Sequence, residues 1–345
     1  MFYFLFKRRN SVWPCAGRFW LALLLLLSLT LGHTTLSYAA KPLPPLRIAI
    51  GDVPSVEFIN LQIAVERLRQ RGITVQLSFM QSEKLAARAV HHNLADVAVG
   101  TPYQFVQREK RSLRMFVQLS KLRFHPVVSR NLYPDWQSLD GAEVYAHGPG
   151  SGTASLLNIM ARRHNIQYAK MHYLPGSAVR AQALLSGRIH ATIVDSTRRR
   201  LLQERAPERF LFLPLEDVSA TDEALYGKLE TLKQKRATLA KLVEEILTVW
   251  RQTIADPQFI SEQATQMGLI NQLSVDDQKS LLSHYQDAVA THTFDPNGGD
   301  QACVAQDFAF FTAAGTLQGD PAKLRVEDYW YFAPLNQALQ SLGRQ

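Results

Sequence analysis

The stretch of this 345-residue chain best equipped for chemistry is His147-Gly-Pro-Gly-Ser-Gly-Thr153. Three glycines at alternate positions let the backbone approach a ligand closely. The helix that follows presents unsatisfied N–H groups, and Ser151 and Thr153 add hydroxyls. Such a terminus favours an anion by about 0.3–1 kcal/mol, or ~2 kcal/mol when partly buried. A flexible turn closed by an N-cap would have the same sequence. No Gly-Lys-Ser/Thr follows, so it is not a phosphate-binding P-loop, and the glycine spacing is not the dinucleotide fingerprint. Pro175-Gly176-Ser177 repeats the theme, as do Thr101 before Pro102 and Ser55 at the head of another helical run. Each alone reads as a plain cap. Four hydroxyl-bearing helix starts on one cleft would make it rich in neutral donors, suited to a small anionic or polar molecule. Tyr103 either stacks on that ligand or packs in the core. Asp195 either accepts from a cationic or amine group of a ligand or caps a helix over Ser196–Glu204.

Catalytic constellations are missing. There is no Gly-x-Ser-x-Gly elbow and no His-Glu-x-x-His. The ten histidines are scattered, and the adjacent pair His91-His92 points in two directions on a helix. Arg198-Arg199-Arg200 and Lys233–Arg236 read as solvated helix faces. The reading is therefore no catalytic residue, no metal and no cofactor. Two cysteines exclude a zinc ribbon or an iron–sulfur site built from four thiolates, and Cys303 reads as a small buried residue.

The elements that would position these loops alternate between strand and helix. Leu46–Ile50 reads as a buried strand, and Ser55–Arg71 has apolar residues at helical spacing. Ile73–Phe79 alternates like a strand. Ser82 caps a helix through Asn93, Ala95–Val99 is a strand, and Thr101-Pro102 starts the next helix. Arg114–Leu119 closes this βαβαβαβ run, which calls for a mostly parallel sheet with helices on both faces. A second run repeats the design: strand Glu143–Ala146, helix Ala154–Asn165, strand Lys170–Leu174, helix Ser177–Ser186 and strand Ile189–Val194. From about Thr231 onward the pattern is helical, ending in Val326–Ser341. In open α/β sheets ligands bind beyond the carboxyl ends of the strands. Those ends are Gly51–Ser55, Gly100–Tyr103, His147–Thr153, Pro175–Ser177 and Asp195–Thr197.

Residues 1–39 read as a secretory signal rather than as fold; a membrane anchor is the alternative, and the apolar run is shorter than the roughly 18–20 residues a spanning helix needs. Lys7, Arg8, Arg9 and Arg18 precede the uncharged, leucine-packed Trp20–Gly32, and Ser37-Tyr38-Ala39 supplies a small-residue cleavage site. The formal charge of +8 includes these four basic residues. Cleavage after Ala39 leaves 34 basic against 30 acidic residues, or +4. With export and no aromatic interleaving of basic residues, nucleic acid is excluded as a partner.

Taken in order, His147–Thr153, Leu174-Pro-Gly-Ser-Ala178, and Leu184-Leu-Ser-Gly-Arg-Ile-His-Ala-Thr-Ile-Val-Asp195 resemble the periplasmic substrate-binding proteins of ABC transporters. The branch is the one that binds nitrate, taurine, aliphatic sulfonates and thiamine-pyrimidine precursors. Ser138-Leu-Asp-Gly141 and the helical block Leu239–Gly268, with Asp256-Pro257 inside it, fit the same pattern over roughly residues 46–340. The resemblance implies a two-lobed type II periplasmic-binding fold with a helical C-terminal region. Lobe one would be 42–128 plus 232–345, and lobe two 129–231. It implies a monomer that binds without catalysis and hands a small organic anion or heterocycle to a permease in the inner membrane. A sensor docking on a receptor kinase, or an enzyme on the same architecture, are the alternatives. The family's ligand loops fall on Ser55, Thr101, Tyr103, Ser151, Gly152, Thr153, Ser177 and Asp195. Two departures stand out. His190 replaces a usual acidic residue, and Pro54-Ser55-Val56 replaces a tryptophan-rich loop.

Overall fold

A computed structural model describes residues 43–109, 112–215 and 218–345. The expected export segment, 1–39, lies outside them. Leu43–Gln345 is one compact unit. It holds two five-stranded sheets.

The first sheet contains β1 (Leu46–Ile50), β2 (Val75–Phe79), β3 (Val97–Gly100), β4 (Leu113–Lys121) and, from much later in the chain, β10 (Thr221–Lys228). Their spatial order is β2-β1-β3-β10-β4. The second sheet contains β5 (Phe124–Ser129), β6 (Glu143–Ala146), β7 (Lys170–Tyr173), β8 (Ala191–Asp195) and β9 (Phe210–Phe212), in the order β7-β6-β8-β5-β9. β1 pairs in parallel with β2 and β3, and β6 in parallel with β7 and β8. β10 is antiparallel to both its neighbours, as is β5. Each sheet thus runs four strands one way and one strand back. The reversed strand is in each case the first to arrive from the other sheet.

This places the passages between sheets at Leu122–Arg123 and within residues 213–220. The boundaries expected from sequence, 128/129 and 231/232, fall inside β5 and inside the short helix Leu229–Gln234. β5, β9 and β10 were not legible as strands. Pro126 weakens the strand pattern of β5, β9 has three residues, and β10 opens on the polar run Thr221-Asp222-Glu223.

The helices follow the expected alternation: α1 (Ile59–Gln70), α2 (Glu83–His91), α3 (Tyr103–Arg108), α4 (Gly152–Arg163), α5 (Ser177–Leu185) and α6 (Ser196–Arg205). The C-terminal block adds α7 (Leu229–Gln234), α8 (Arg236–Ala255), α9 (Gln258–Gln266), α10 (Val275–Ala290), α11 (Gln301–Ala313) and α12 (Ala333–Leu342). α8 shows why this block folds against the first sheet. Leu239, Leu242, Val243, Ile246, Leu247 and Trp250 recur at three- and four-residue spacing and are all buried. Each aliphatic side chain so buried stabilises by about 1.5–3 kcal/mol. They share a core with β1, α1, α10 and α12.

The expected final helix, Val326–Ser341, begins later than its periodicity indicated. Met115 of β4 donates to the Tyr329 carbonyl and accepts from the Tyr331 amide, both at 2.8 Å. That isolated bridge fixes Trp330 against β4 after the short 3-10 turn Val326–Asp328, and α12 starts only beyond it, with Pro334 in its first turn.

Candidate functional site

The strand-end loops of both sheets converge on one cleft. Its inner chamber, about 30 Å³, is lined from the first sheet by Asp52, Glu57, Glu83, Thr101, Asp222 and Glu223. His147, Ser151, Gly152, Thr153, Ser177 and Arg180 close it from the second sheet, with Phe124 at the crossing. An adjoining outer chamber of about 60 Å³ shares Glu57, Phe124, Asp222 and Glu223, and adds Asp195, Trp250 and His284. A water molecule needs about 10–15 Å³ on this scale, so the space suits a small solute.

Five of the eight residues singled out by sequence line the inner chamber: Thr101, Ser151, Gly152, Thr153 and Ser177. Asp195 lines the outer one. It also caps α6, its Oδ1 accepting from the Arg198 amide at 2.7 Å, which is the capping reading of this residue. Tyr103 is core. Its ring is fully buried against Phe311, and its hydroxyl donates to Asp307 while accepting from the Trp330 indole. Ser55 lies outside both chambers' linings, and its buried Oγ has no partner among the described residues. His190 is exposed on the far side, bonded to Ser129.

The hydroxyls do work other than plain capping. Ser151 caps α4, accepting from the Ala154 amide, and also donates to the Gly148 carbonyl at 2.8 Å. Thr153 Oγ1 accepts from the His147 amide at 3.0 Å, so the loop is tied to itself. Thr101 does not cap α3. Its hydroxyl donates to the Asp222 carbonyl, linking β3 to β10 beside the cleft. Ser177 is the first residue of α5 rather than its cap, and its Oγ accepts from the Asp195 amide at 2.9 Å.

The glycines of the 147–153 loop are explained by close approach between the halves. A Cβ on Gly152 would lie 2.2 Å from Leu122 Cδ2 and 2.8 Å from Asp222 Oδ1. One on Gly150 would lie 2.9 Å from Gln104 Oε1. The N-terminus of α4, expected to face an anionic ligand, faces the Asp222 carboxylate of the opposite sheet.

Carboxylates dominate this cleft, and sequence reasoning missed them. Glu57, Glu83, Asp222 and Glu223 sit in helix starts and a strand, where acids usually mean solvated surface. Burial raises Glu57 and Glu223 well above the usual carboxylate range, with Asp195 adding to the first and Asp222 to the second. Burial, then Glu83, push Asp222 up to about 8. Glu83 is raised by burial although it accepts from the Thr101 amide at 3.1 Å. The opposing charge is Arg180, 1% exposed, committed through Nε to the Ile193 carbonyl and through Nη1 to that of Leu174. His147 Nδ1 lies 3.7 Å from Asp52. No group of three or more metal-ligating side chains is arranged to hold a metal ion among the described residues.

A second departure concerns Arg198–Arg200. These are not a solvated face. Arg198, 4% exposed, is ion-paired with Asp277 of α10. Arg200 pairs with Asp287 and donates to Ser283, and Arg205 pairs with Asp276. Thr197 meets His284 at 3.0 Å. α6 of the second half is thus stitched along α10 of the first, beside the cleft.

Residues 67–260, more than half of the chain, match the sequence model of the family described as NMT1/THI5 like. The chain belongs to the NMT1/THI5-like family. No curated protein matches the full sequence significantly. Solved structures show that this family member has the type II periplasmic-binding fold. It is similar to the ligand-binding component of an ABC-type import system from Staphylococcus aureus, solved with zinc bound, at 13% identity and TM-score 0.64, covering 85% of this chain and 99% of that one. It is similar to the periplasmic nitrate-binding protein of Synechocystis PCC 6803 at 11% identity and TM-score 0.65, covering 88% and 90%. The alkanesulfonate-binding protein of Xanthomonas axonopodis pv. citri, bound to MOPS, gives 14% identity and TM-score 0.59, covering 81% and 96%. Among the described residues of this NMT1/THI5-like chain, no helix is long and apolar enough to cross a membrane.

Proposed function

We propose that this protein is the solute-binding component of an ABC-type importer. It is exported to the periplasm, closes its two lobes on a small solute, and presents the loaded form to an inner-membrane permease without chemical turnover. The lobes are the two sheets with their helices, hinged at Leu122–Arg123 and at the passage from β9 to β10. The ligand contacts fall on Thr101, Ser151, Gly152, Thr153, Ser177 and Asp195, joined by Glu57, Asp222 and Glu223.

The observation that carries this reading is the convergence of strand-end loops from both sheets on one cleft. A two-passage hinge can open and close such a cleft as a unit. The S. aureus protein with this fold is by its description the ligand-binding component of an importer, which agrees with the reading. A melting-temperature screen across amines, pyrimidines, amino acids, nitrate, sulfonates and phosphonates tests it. A ligand at a hundred times its dissociation constant stabilises the folded state by about 2.7 kcal/mol. At least one class is expected to raise the melting temperature; a flat response across the panel contradicts the reading.

A further inference from the structure

We propose that the solute is a cation: a small molecule with a protonated amine, held by Glu57, Asp222 and Glu223 and packed through its body against Phe124. This rests on the solute-binding reading and narrows it, replacing the anion expected from the glycine loop.

The charge count of the inner chamber is one-sided. Five carboxylates, Asp52, Glu57, Glu83, Asp222 and Glu223, face Arg180 and His147. Two of the five are occupied. Asp52 accepts from the Val53 amide at 2.7 Å and sits beside His147, while Glu83 accepts from the Thr101 amide. Glu57, Asp222 and Glu223 accept no hydrogen bond from any described residue and form no ion pair within 4 Å. The longer-range pull of Arg198 on Glu57 and of Arg180 on Asp222 offsets part of their mutual repulsion, as does the α4 N-terminus that faces Asp222, while Lys121 and Arg123 line the outer chamber. Unpaired carboxylates crowded in a partly dry cavity are costly. In a trap, that cost is removed by the ligand. An anion would add to it.

The remaining features fit an organic cation rather than a metal ion. The described acidic and histidine side chains do not converge as a ligand set for a metal. Phe124 lines both chambers, and an aromatic face attracts an ammonium group and packs on its hydrocarbon. The two apparent anion sites are already partly occupied by the protein: the α4 N-terminus faces Asp222, and Arg180 gives its Nε and Nη1 to backbone carbonyls.

Matched pairs of opposite charge test the proposal by calorimetric titration: benzylamine against benzoate, and putrescine against succinate. The amines are expected to bind and the carboxylates not. Glu223→Gln and Glu57→Gln should each weaken amine binding at least about tenfold, the loss of one charge-assisted contact. Both variants should melt no lower than the parent when unligated, because each removes a carboxyl group whose ionised form is disfavoured by burial and by its acidic neighbours. Circular dichroism confirms that they fold. Binding of benzoate, succinate or the screened anions without the amines would overturn the cation proposal and leave the solute-binding reading intact. Unchanged amine affinity in both variants would also overturn it. A flat response to every probe would overturn both.

Discussion

Asp222 joins both sides of the cleft's chemistry. It stands at the head of β10, its backbone carbonyl takes the Thr101 hydroxyl, and its carboxylate lies against Gly152 of the opposite half. Because its folded-state value is raised from 3.8 to about 8, the native protein holds a proton there that the unfolded chain has released. Its contribution is fully present below about pH 4 and is lost as pH rises through 8. The unligated melting temperature should therefore fall across that window, and Asp222→Asn should flatten the slope. Asp307, raised to about 6 chiefly by burial, acts in the same direction, so the difference between parent and variant is the quantity to read. Gly152 gives a second test at this scale. Its Cβ would meet Leu122 and Asp222, and overpacking of this kind costs about 1–3 kcal/mol. Gly152→Ala should weaken solute binding by at least about tenfold and enlarge the radius of gyration in solution scattering. A variant that binds normally would remove the close-approach explanation of the loop's glycines.

Between elements, the contact of α6 with α10 is the clasp. Arg198 and Asp277 are each about 5% exposed at the side chain, so removing one leaves the other charge buried. Such single removals cost about 3–5 kcal/mol, and Asp277→Asn should lose about 3 kcal/mol in denaturant unfolding. The double variant Arg198→Met with Asp277→Leu should recover part of that loss, since no charge is then stranded. If the single variant costs nothing, the clasp is not structural. Sequence made α6 legible through its possible cap Asp195 and placed α10 within the helical pattern after Thr231. It could not show that they touch. Three arginines in a row look solvated until a helix eighty residues later brings Asp277 and Asp287 opposite them. β10 was hidden for a related reason: its first residues are chosen for the cleft, and Asp222-Glu223 contradicts the pattern of a buried strand.

For the whole molecule, the repeated α/β units, the helical tail and the position of the cleft were all readable from the alternation of strand and helix. The strand-end rule pointed to this cleft because it depends on topology alone. Its charge was not readable. Glu57, Glu83, Asp222 and Glu223 are spread over more than 160 residues, and only the pairing of β3 with β10 and the packing of one half on the other turn them into a single acidic surface. The neutral donors seen in the sequence are real, but they largely bond to the protein itself. On the proposed reading, the solute is left to meet carboxylates and Phe124.

The central claim is that the cleft between the two sheets holds a small cationic solute. Native mass spectrometry of the protein as isolated from the cells that make it tests this most directly, since a closed trap can carry its ligand through purification. A one-to-one noncovalent adduct is expected, whose released solute bears a basic nitrogen, with the adduct lost in Glu223→Gln. A bare chain in repeated preparations, or a retained solute that is anionic, would contradict it.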